Sequence, residues 1–309
     1  MTPVKLLAGT FGAGLLALTA GAAGACTLQT VGELNVDLSR RAPIVDGEIN
    51  GVKVKIMIDT GSRTSIIAEP AARALGMTAG TNPGGYVFGA GATYSIIPRS
   101  LKIGTLTATD SPPFPVGEPI FGEPDIAMLL GADFLNRFDV EFDLADNMIR
   151  LFHAEGCTTP QLVYWNKPYS QAALAPGGGF LAEASLNGKR VLAAIDTSAS
   201  RSLVDAAAAA GAGEPIPPHP QFVVDTVGPT SREAWNDDFA SVALGDESIA
   251  HARVEVADFA RGGHGDAPSM LIGEDFLHAH RVMIDNRNHV MVFSYTGGPI
   301  FSTPVAAQP

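Results

Sequence analysis

The chain repeats itself, and this repetition limits it to folds that can be built from two similar halves. The sequence G-E-I-N-G-V-K-V-K-I-M-I-D-T-G-S-R-T-S-I-I, around residue 50, resembles A-E-A-S-L-N-G-K-R-V-L-A-A-I-D-T-S-A-S-R-S-L-V, around residue 187. Asn50 aligns with Asn187, and Asp59 with Asp196, at one constant offset of 137 residues. A repeat of this length predicts two units of the same fold.

A second pair of matching segments extends the repeat toward the end of each unit. L-L-G-A-D-F-L at 129–135 resembles L-I-G-E-D-F-L at 271–277, at an offset of 142 residues. Each unit then has the size of an ordinary domain, and a stretch rich in proline and glycine separates them. The predicted units are an N-terminal lobe, a linker, a C-terminal lobe and a tail, at residues 26–155, 156–179, 180–297 and 298–309.

Residues 1–25 have the pattern of a secretory signal peptide, which we exclude from the fold. A single Lys5 precedes an apolar stretch, and Ala23 and Ala25 are spaced as at a cleavage site. A membrane helix retained in the mature protein is the alternative. The five glycines between residues 9 and 24 disfavour that helix.

The cysteines Cys26 and Cys157 leave two alternatives open. Cleavage before Cys26 would make it the first residue of the mature chain, as at the start of a bacterial lipoprotein. An oxidising compartment would instead allow a disulfide between the two cysteines. Both alternatives indicate an exported, periplasmic protein, and the first adds a lipid anchor to the membrane at Cys26.

Composition and charge exclude several classes of function. The chain has 309 residues, of which 46% are hydrophobic and 17% charged, and this balance predicts a globular protein. Its net charge of −12 disfavours binding to nucleic acid or anionic lipid. The 34 glycines and 22 prolines favour short strands and many turns. Because the seven histidines are scattered and no paired cysteine motif accompanies them, we expect no metal and no cofactor.

In each unit the pattern predicts a β-hairpin that ends at an aspartate. Asn-Gly between apolar runs is a strong hairpin signal, since both turn residues need a positive φ. The strands Val52–Ile58 and Val191–Ile195 then lead directly into Asp59 and Asp196. We therefore expect each carboxyl group at the edge of a buried core.

An apolar strand followed by D-T-G-S, with an apolar-Gly segment further on, resembles the aspartic proteases of the retropepsin and pepsin clan. The resemblance covers both lobes. It implies an all-β fold of two tandem retropepsin-like β-barrel lobes, related by pseudo-twofold symmetry and containing short helices. In that family two aspartates, here Asp59 and Asp196, face each other as the catalytic pair. Because this chain carries both, a monomer would be complete.

The same resemblance implies roles for the residues around the two aspartates. Thr60 and Thr197 would form crossed hydrogen bonds beneath the pair, and Leu130-Gly131 and Ile272-Gly273 would pack behind it. The residues that would support the aspartates are Thr60, Gly61, Ser62, Thr197 and Ser198. Ser65, Ser202, Asp133 and Asp275 also recur in both lobes, and we interpret the serines as strand or turn residues and the aspartates as helix N-terminal charges.

Two carboxyl groups held together cannot both ionise at neutral pH. At about 3 Å and an effective dielectric constant near 20, their charges repel by roughly 5 kcal/mol. Aspartic-protease pairs are the established example of this effect. The ionised group would activate a water molecule, which would hydrolyse a bond of a peptide or protein substrate. Because the hydroxyl of Ser62 could reach Asp59, while Ala199 has none, we predict that Asp59 carries the charge more often.

A glycine lies 32 residues after each aspartate, at Gly91 and at Gly228. The segment F-G-A-G-A-T-Y resembles the family's substrate-covering flap, which we place at residues 84–98, with Gly89, Ala90 and Gly91 in it. The alternative is that these glycines are ordinary turn residues.

The second motif departs from the family, because Ser198 stands where the family has glycine. A side chain there could crowd the partner loop or the substrate. A catalytically inactive homologue that binds extended peptides between the lobes is therefore an alternative function. A purely structural envelope lipoprotein is a third, although it would not need both aspartates.

Overall fold

The computed structural model describes residues 25–301, except 41, 78–85, 88–89, 92–93, 119, 121–122, 178, 218, 220–221, 226–230 and 260–266. Strands form most of the described chain. The predicted signal peptide lies almost wholly outside the described residues. Among those residues, the α-helices are α1 Glu69–Ala74, α2 Ala132–Leu135, α3 Thr159–Leu162, α4 Ala206–Gly211 and α5 Glu274–Ala279. No helix in this described part has the length and apolar character needed to cross a membrane.

The elements around each aspartate, from the Asn-Gly hairpin to the final hairpin, follow a similar order in both halves of the chain. The first half contains β1 Thr27–Asp37, β2 Ile44–Ile49, β3 Val52–Ile58, β4 Ile66–Ala68, β5 Tyr86–Val87, β6 Ala90–Gly91, β7 Tyr94–Ile96, β8 Leu101–Ile103, β9 Leu106–Ala108, β10 Phe114–Gly117, β11 Ile126–Leu130, β12 Asp139–Asp143 and β13 Met148–Glu155. The second half contains β14 Ser170–Ala173, β15 Leu181–Leu186, β16 Lys189–Ile195, β17 Leu203–Asp205, β18 Phe222–Asp225, β19 Ser231–Leu244, β20 Glu247–Ala257, β21 Met270–Ile272, β22 His280–Asp285 and β23 Val290–Tyr295.

The two Asn-Gly hairpins form as the sequence predicts. β2 pairs with β3, and β15 with β16, both antiparallel. The turn residues Asn50 and Gly51 have φ of 55° and 81°, and Asn187 and Gly188 have 48° and 79°. This left-handed conformation is tolerated best by glycine and asparagine. Each hairpin fixes the strand that ends just before an aspartate.

The apolar-Gly segments pack beside these strands. β11 runs parallel to β3 and antiparallel to β4, and β21 has the same relation to β16 and β17. Their last residues accept a hydrogen bond from each aspartate: the N–H of Asp59 donates to Leu130 at 3.0 Å, and that of Asp196 to Ile272 at 2.9 Å. The backbone of both aspartates is therefore held by buried strands.

One sheet crosses the boundary between the lobes, with strand order β14-β23-β22-β12-β13-β1. At its centre β12 pairs antiparallel with β22, and Glu141 lies opposite Met283. These two residues are equivalent at the offset of 142, so the lobes are related by a pseudo-twofold axis through this pair. One continuous hydrophobic core contains residues of both lobes, including Phe142 and Ile284.

The segment predicted as a linker is part of this shared sheet. Residues 156–179 contain α3 and β14, and β14 pairs with β23 near the end of the chain. Cys157 in the same segment forms a disulfide with Cys26. A lipid anchor at Cys26 would need the same sulfur atom, so the disulfide-bonded protein cannot carry the anchor that the sequence left open.

Candidate active site

The two aspartate loops meet where the lobes face each other. Asp59 and Asp196 follow β3 and β16, and each is 2% exposed. A Cβ atom placed on Gly61 would lie 2.5 Å from the carboxyl carbon of Asp196. The backbone of one loop is thus in direct contact with the carboxyl group of the other.

Crossed hydrogen bonds between two threonines hold the loops together. Thr60 Oγ1 donates to the carbonyl of Ile195 at 2.6 Å and accepts from the N–H of Thr197 at 3.0 Å. Thr197 Oγ1 donates to the carbonyl of Ile58 at 2.8 Å and accepts from the N–H of Thr60 at 3.1 Å. All four bonds are buried and join one lobe to the other, so the position of either aspartate depends on both lobes.

A serine–aspartate pair supports each loop from behind, a role that the sequence interpretation missed. Ser65 Oγ donates to Asp133 Oδ1 at 2.5 Å and accepts from the N–H of Gly131 at 2.9 Å. Ser202 donates to Asp275 in the same way at 2.7 Å. Recurrence of both residues at the two constant offsets was the available signal. The side chains link each aspartate loop to the helix that follows the apolar-Gly segment.

Comparison with family models and solved structures agrees with this arrangement. A model described as "gag-polyprotein putative aspartyl protease" matches residues 45–137, and a second, "Aspartyl protease", matches residues 182–276. The chain belongs to the aspartyl protease family. The aspartic proteinase from Irpex lacteus superposes with a TM-score of 0.53 over 88% of this chain and 98% of its own, at 11% identity. That likeness supports the two-lobe all-β fold.

Two curated relatives resemble part of the chain. DNA damage-inducible protein 1 of Neurospora crassa is 32% identical over 130 residues, which are 40% of this chain and 28% of that protein. UBA domain-containing protein Mud1 of Schizosaccharomyces pombe is 32% identical over 116 residues, 36% of this chain and 33% of that protein. The matched region thus spans about a third or less of either relative.

Ser198, which departs from the aspartyl protease motif, supplies the hydroxyl contact to an aspartate. Its N–H and its hydroxyl donate to Asp196 Oδ1 at 2.9 Å and 2.8 Å. The hydroxyl of Ser62 turns away and donates to the carbonyl of Thr64 at 2.9 Å, while its N–H donates to Asp59 Oδ1 at 3.1 Å. The predicted bond from the Ser62 hydroxyl to Asp59 is therefore wrong, because a nearby carbonyl accepts it instead.

The electrostatics of the pair disfavour an ionised Asp59, which the Ser62 hydroxyl was expected to stabilise. Burial, and next the negative charge of Asp196, raise the pKa of Asp59 to about 7. Hydrogen bonds from Ser62, Ser198 and Gly61 oppose this rise without cancelling it. Asp59 thus favours the protonated form. Because the two carboxyl groups interact, the proton lost at lower pH belongs to the pair, and Ser198 donates two hydrogen bonds to Asp196 Oδ1 within it.

Replacing Ser198 by alanine should move the acidic limb of the pH–rate profile to higher pH. The Ser198 hydroxyl bond stabilises the singly ionised pair, so its loss should raise the lower apparent pKa of the pair by about one unit, the effect of a hydrogen bond to a charge. The measurement is kcat/KM against pH. Ser62→Ala is the matched control and should leave this limb in place, since its hydroxyl bonds to Thr64. An unmoved limb in Ser198→Ala would contradict the assignment.

The predicted flap is described only in part. β5 and β6 form a two-stranded antiparallel hairpin, in which Tyr86 lies opposite Gly91 and Val87 opposite Ala90. Gly89 and Gly228 lie outside the described residues. The flap role of residues 84–98 therefore stays a prediction.

A third buried acid, missed by the sequence interpretation, lies near the pair. Burial, then the negative charges of Asp275 and Asp196, raise the pKa of Glu274 to about 8. The signal was a difference between the repeats, since Glu274 stands where the first lobe has Ala132. Despite these clustered acids, no three His, Cys, Asp or Glu side chains in the described ranges are arranged to hold a metal ion.

Proposed function

We propose that this protein is an aspartic endopeptidase that hydrolyses peptide bonds with a water nucleophile activated by Asp59 and Asp196. The observation that carries the proposal is the contact between the two aspartate loops. They are locked by Thr60 and Thr197, and the charge of Asp196 acts directly on Asp59. Two adjacent carboxyl groups that share one proton are what acid–base catalysis of hydrolysis requires.

In the proposed reaction the two aspartates have different tasks in the first step. Ionised Asp196, held by Ser198, removes a proton from water, and protonated Asp59 donates a hydrogen bond to the carbonyl oxygen of the peptide. Attack by the water oxygen forms a tetrahedral intermediate. Its collapse breaks the C–N bond as a proton passes from the pair to the amine. The apparent pKa values that control these reaction steps belong to the pair of aspartates as a whole.

Substrate access in this proposal depends on chain movement. Each aspartate is 2% exposed, and in this proposal a covering segment moves when a peptide reaches the pair. The hairpin β5–β6 begins 27 residues after Asp59, where the family's flap is expected. We assign it this role, with an extended peptide bound beneath it. A monomer suffices, since one chain supplies both aspartates.

The proposal predicts that activity falls as the pH rises above about 7. Asp59 must be protonated to polarise the carbonyl, and its pKa is raised to about 7. Above that pH, log kcat/KM should fall by about one unit per pH unit. Recovery of full activity after return to pH 6, with an unchanged circular dichroism spectrum at the higher pH, would exclude unfolding as the cause. A rate that still increases at pH 8 would contradict the protonated role of Asp59.

The test of the function is cleavage of a peptide library by the purified protein, with products identified by mass spectrometry. The alternative is a homologue that binds extended peptides without cutting them, and the observation in its favour is the Ser198 side chain against the pair. Binding of library peptides without any cleavage, unchanged from pH 4 to 8, would support the alternative and contradict the proposed hydrolysis.

We also propose export to the periplasm. The support is the signal-peptide pattern of residues 1–25 together with the disulfide between Cys26 and Cys157, a bond typical of oxidising compartments. Mass spectrometry of the protein from its native host should find an N-terminus near residue 26 and no free thiol. An intact N-terminus with two alkylated cysteines would contradict export.

A further inference from the structure

A cavity of about 420 Å³ lies beside the aspartate loop of the C-terminal lobe. Arg201 of that loop lines it, together with Glu274, Asp275 and His278 of α5. Ala145 of the N-terminal lobe closes another side. The cavity therefore lies between the two lobes. Arg201 in its wall follows Asp196 by five residues in the chain.

Glu274 lines this cavity with an unsatisfied oxygen. The residue is 8% exposed, and its Oε1 is buried and has no hydrogen-bond partner among the described residues. A buried polar atom without a partner is costly, so each such atom needs an explanation, and a bound cation is one that fits an acidic side chain. The equivalent residue of the first lobe is Ala132, so this acid is particular to one side of the molecule.

Among the residues that the structure describes, no ion pair joins Glu274 to a cation at the cavity. The lining cation, Arg201, pairs with Glu255 through Nε and Oε1 at 3.4 Å. Burial lowers the pKa of His278, which favours its neutral form. Asp275 accepts hydrogen bonds from Ser202 and from its own helix, and its charge and that of Asp196 act unfavourably on an ionised Glu274.

We propose that this cavity binds the cationic side chain of a lysine or arginine in the peptide substrate, with Glu274 as its partner. The proposal rests on the proposed function and makes Glu274 a specificity-determining residue. An ammonium or guanidinium group would supply the donor that Oε1 lacks. It would also supply the positive charge that stabilises an ionised Glu274 next to two aspartates.

The experiment compares peptides that carry lysine or norleucine at one position, scanned along the substrate. Norleucine has the same four-carbon chain without the charge. The wild type should favour lysine at one position by at least about tenfold in kcat/KM, the effect of a hydrogen bond between charged groups. Glu274→Gln should abolish this ratio. Glu274→Ala, which copies the first lobe, tests the same loss with a different side chain.

Glu183→Gln is the control, because it removes an equal charge from an exposed position of the same lobe. It should keep the preference for lysine. Thermal unfolding shows which variants fold, and the ratio is read only from folded ones. A preference that survives both substitutions at Glu274, or that no substrate position shows, would overturn the proposal.

A binding measurement separates this proposal from the proposed function. The same peptide pairs are titrated into the Asp59→Asn variant, with and without Glu274→Gln. One result would support the cavity proposal and contradict the hydrolytic function. In it, the wild type cleaves no peptide, while lysine peptides bind at least about tenfold more tightly than norleucine peptides and lose this advantage with Glu274→Gln. Equal binding of lysine and norleucine peptides would overturn the cavity proposal.

Discussion

Replacing either Asp59 or Asp196 by asparagine is expected to lower kcat/KM by about 10³-fold or more, the range for loss of an acid–base group. Asparagine keeps the shape of the side chain but can neither take a proton from water nor give one to the leaving amine. The measurement is cleavage of one peptide by wild type and both variants. Turnover by either variant at the wild-type rate would remove the aspartate pair from the mechanism.

The Asp59→Asn variant should also unfold at a higher temperature than the wild type at pH 7.5. An aspartate ionises near pH 3.8 in the unfolded chain, whereas the pKa of Asp59 in the folded protein is raised to about 7. Between these values the folded state binds more protons, so the wild type loses stability as the pH rises, and the loss is complete above the folded pKa. Asparagine removes this dependence.

The control for both readouts is Asp110→Asn, which neutralises an exposed carboxyl group in the same lobe. It should change neither kcat/KM nor the melting temperature at pH 7.5. If Asp59→Asn were inactive and also melted at a lower temperature than the wild type at pH 7.5, the buried Asp59 carboxylate would not destabilise the folded protein, contrary to the prediction.

The fold could be predicted from the sequence because its determinants are local and occur twice. Asn50-Gly51 and Asn187-Gly188 specify two hairpins by backbone conformation alone, and each hairpin leads into an aspartate at the same spacing. The constant offset then implies equivalent places for Thr60 and Thr197. Their crossed bonds are present because a pseudo-twofold axis brings equivalent residues together.

The parts that could not be predicted depend on contacts between distant residues. The Ser62 hydroxyl points toward the carbonyl of Thr64, and the residue types in the sequence do not indicate this direction. The strand β14 in the presumed linker depends on pairing with β23, more than 100 residues further along the chain. An acidic residue such as Glu274 is common in the first turn of a helix, and only its burial makes it unusual.

The aspartate loops of the two repeats differ where Gly61 aligns with Ser198, and this difference makes the pair unequal. On the first loop, Gly61 lets the backbone reach the Asp196 carboxyl group. On the second loop, Ser198 adds a side chain and uses its hydroxyl to hold that same carboxyl group. The backbone at Gly61 and the side chain of Ser198 both lie against Asp196, so this aspartate is held from both lobes.

Gly61→Ala should therefore disable the enzyme although it adds only a methyl group. The new Cβ would lie 2.5 Å from the carboxyl carbon and Oδ2 of Asp196, closer than real Cβ contacts, so the carboxyl group must move. A displacement of about 1 Å at a reacting group costs roughly 10²-fold in rate. We expect kcat/KM to fall by about that factor, and the melting temperature to fall as well, since buried groups are forced apart.

Gly211→Ala is the matched control for this change. Gly211 ends α4, and an added Cβ there would meet no heavy atom within 4 Å apart from its chain neighbours and its own helix backbone. The position should accept alanine with equal or slightly higher stability and full activity. Because Gly61 does not have a positive φ, the loss in Gly61→Ala would come from crowding against Asp196 and not from backbone strain. A fully active Gly61→Ala variant would mean that the two aspartate loops are not in contact in the active enzyme. The mechanism in which the two aspartates share a proton would then be wrong.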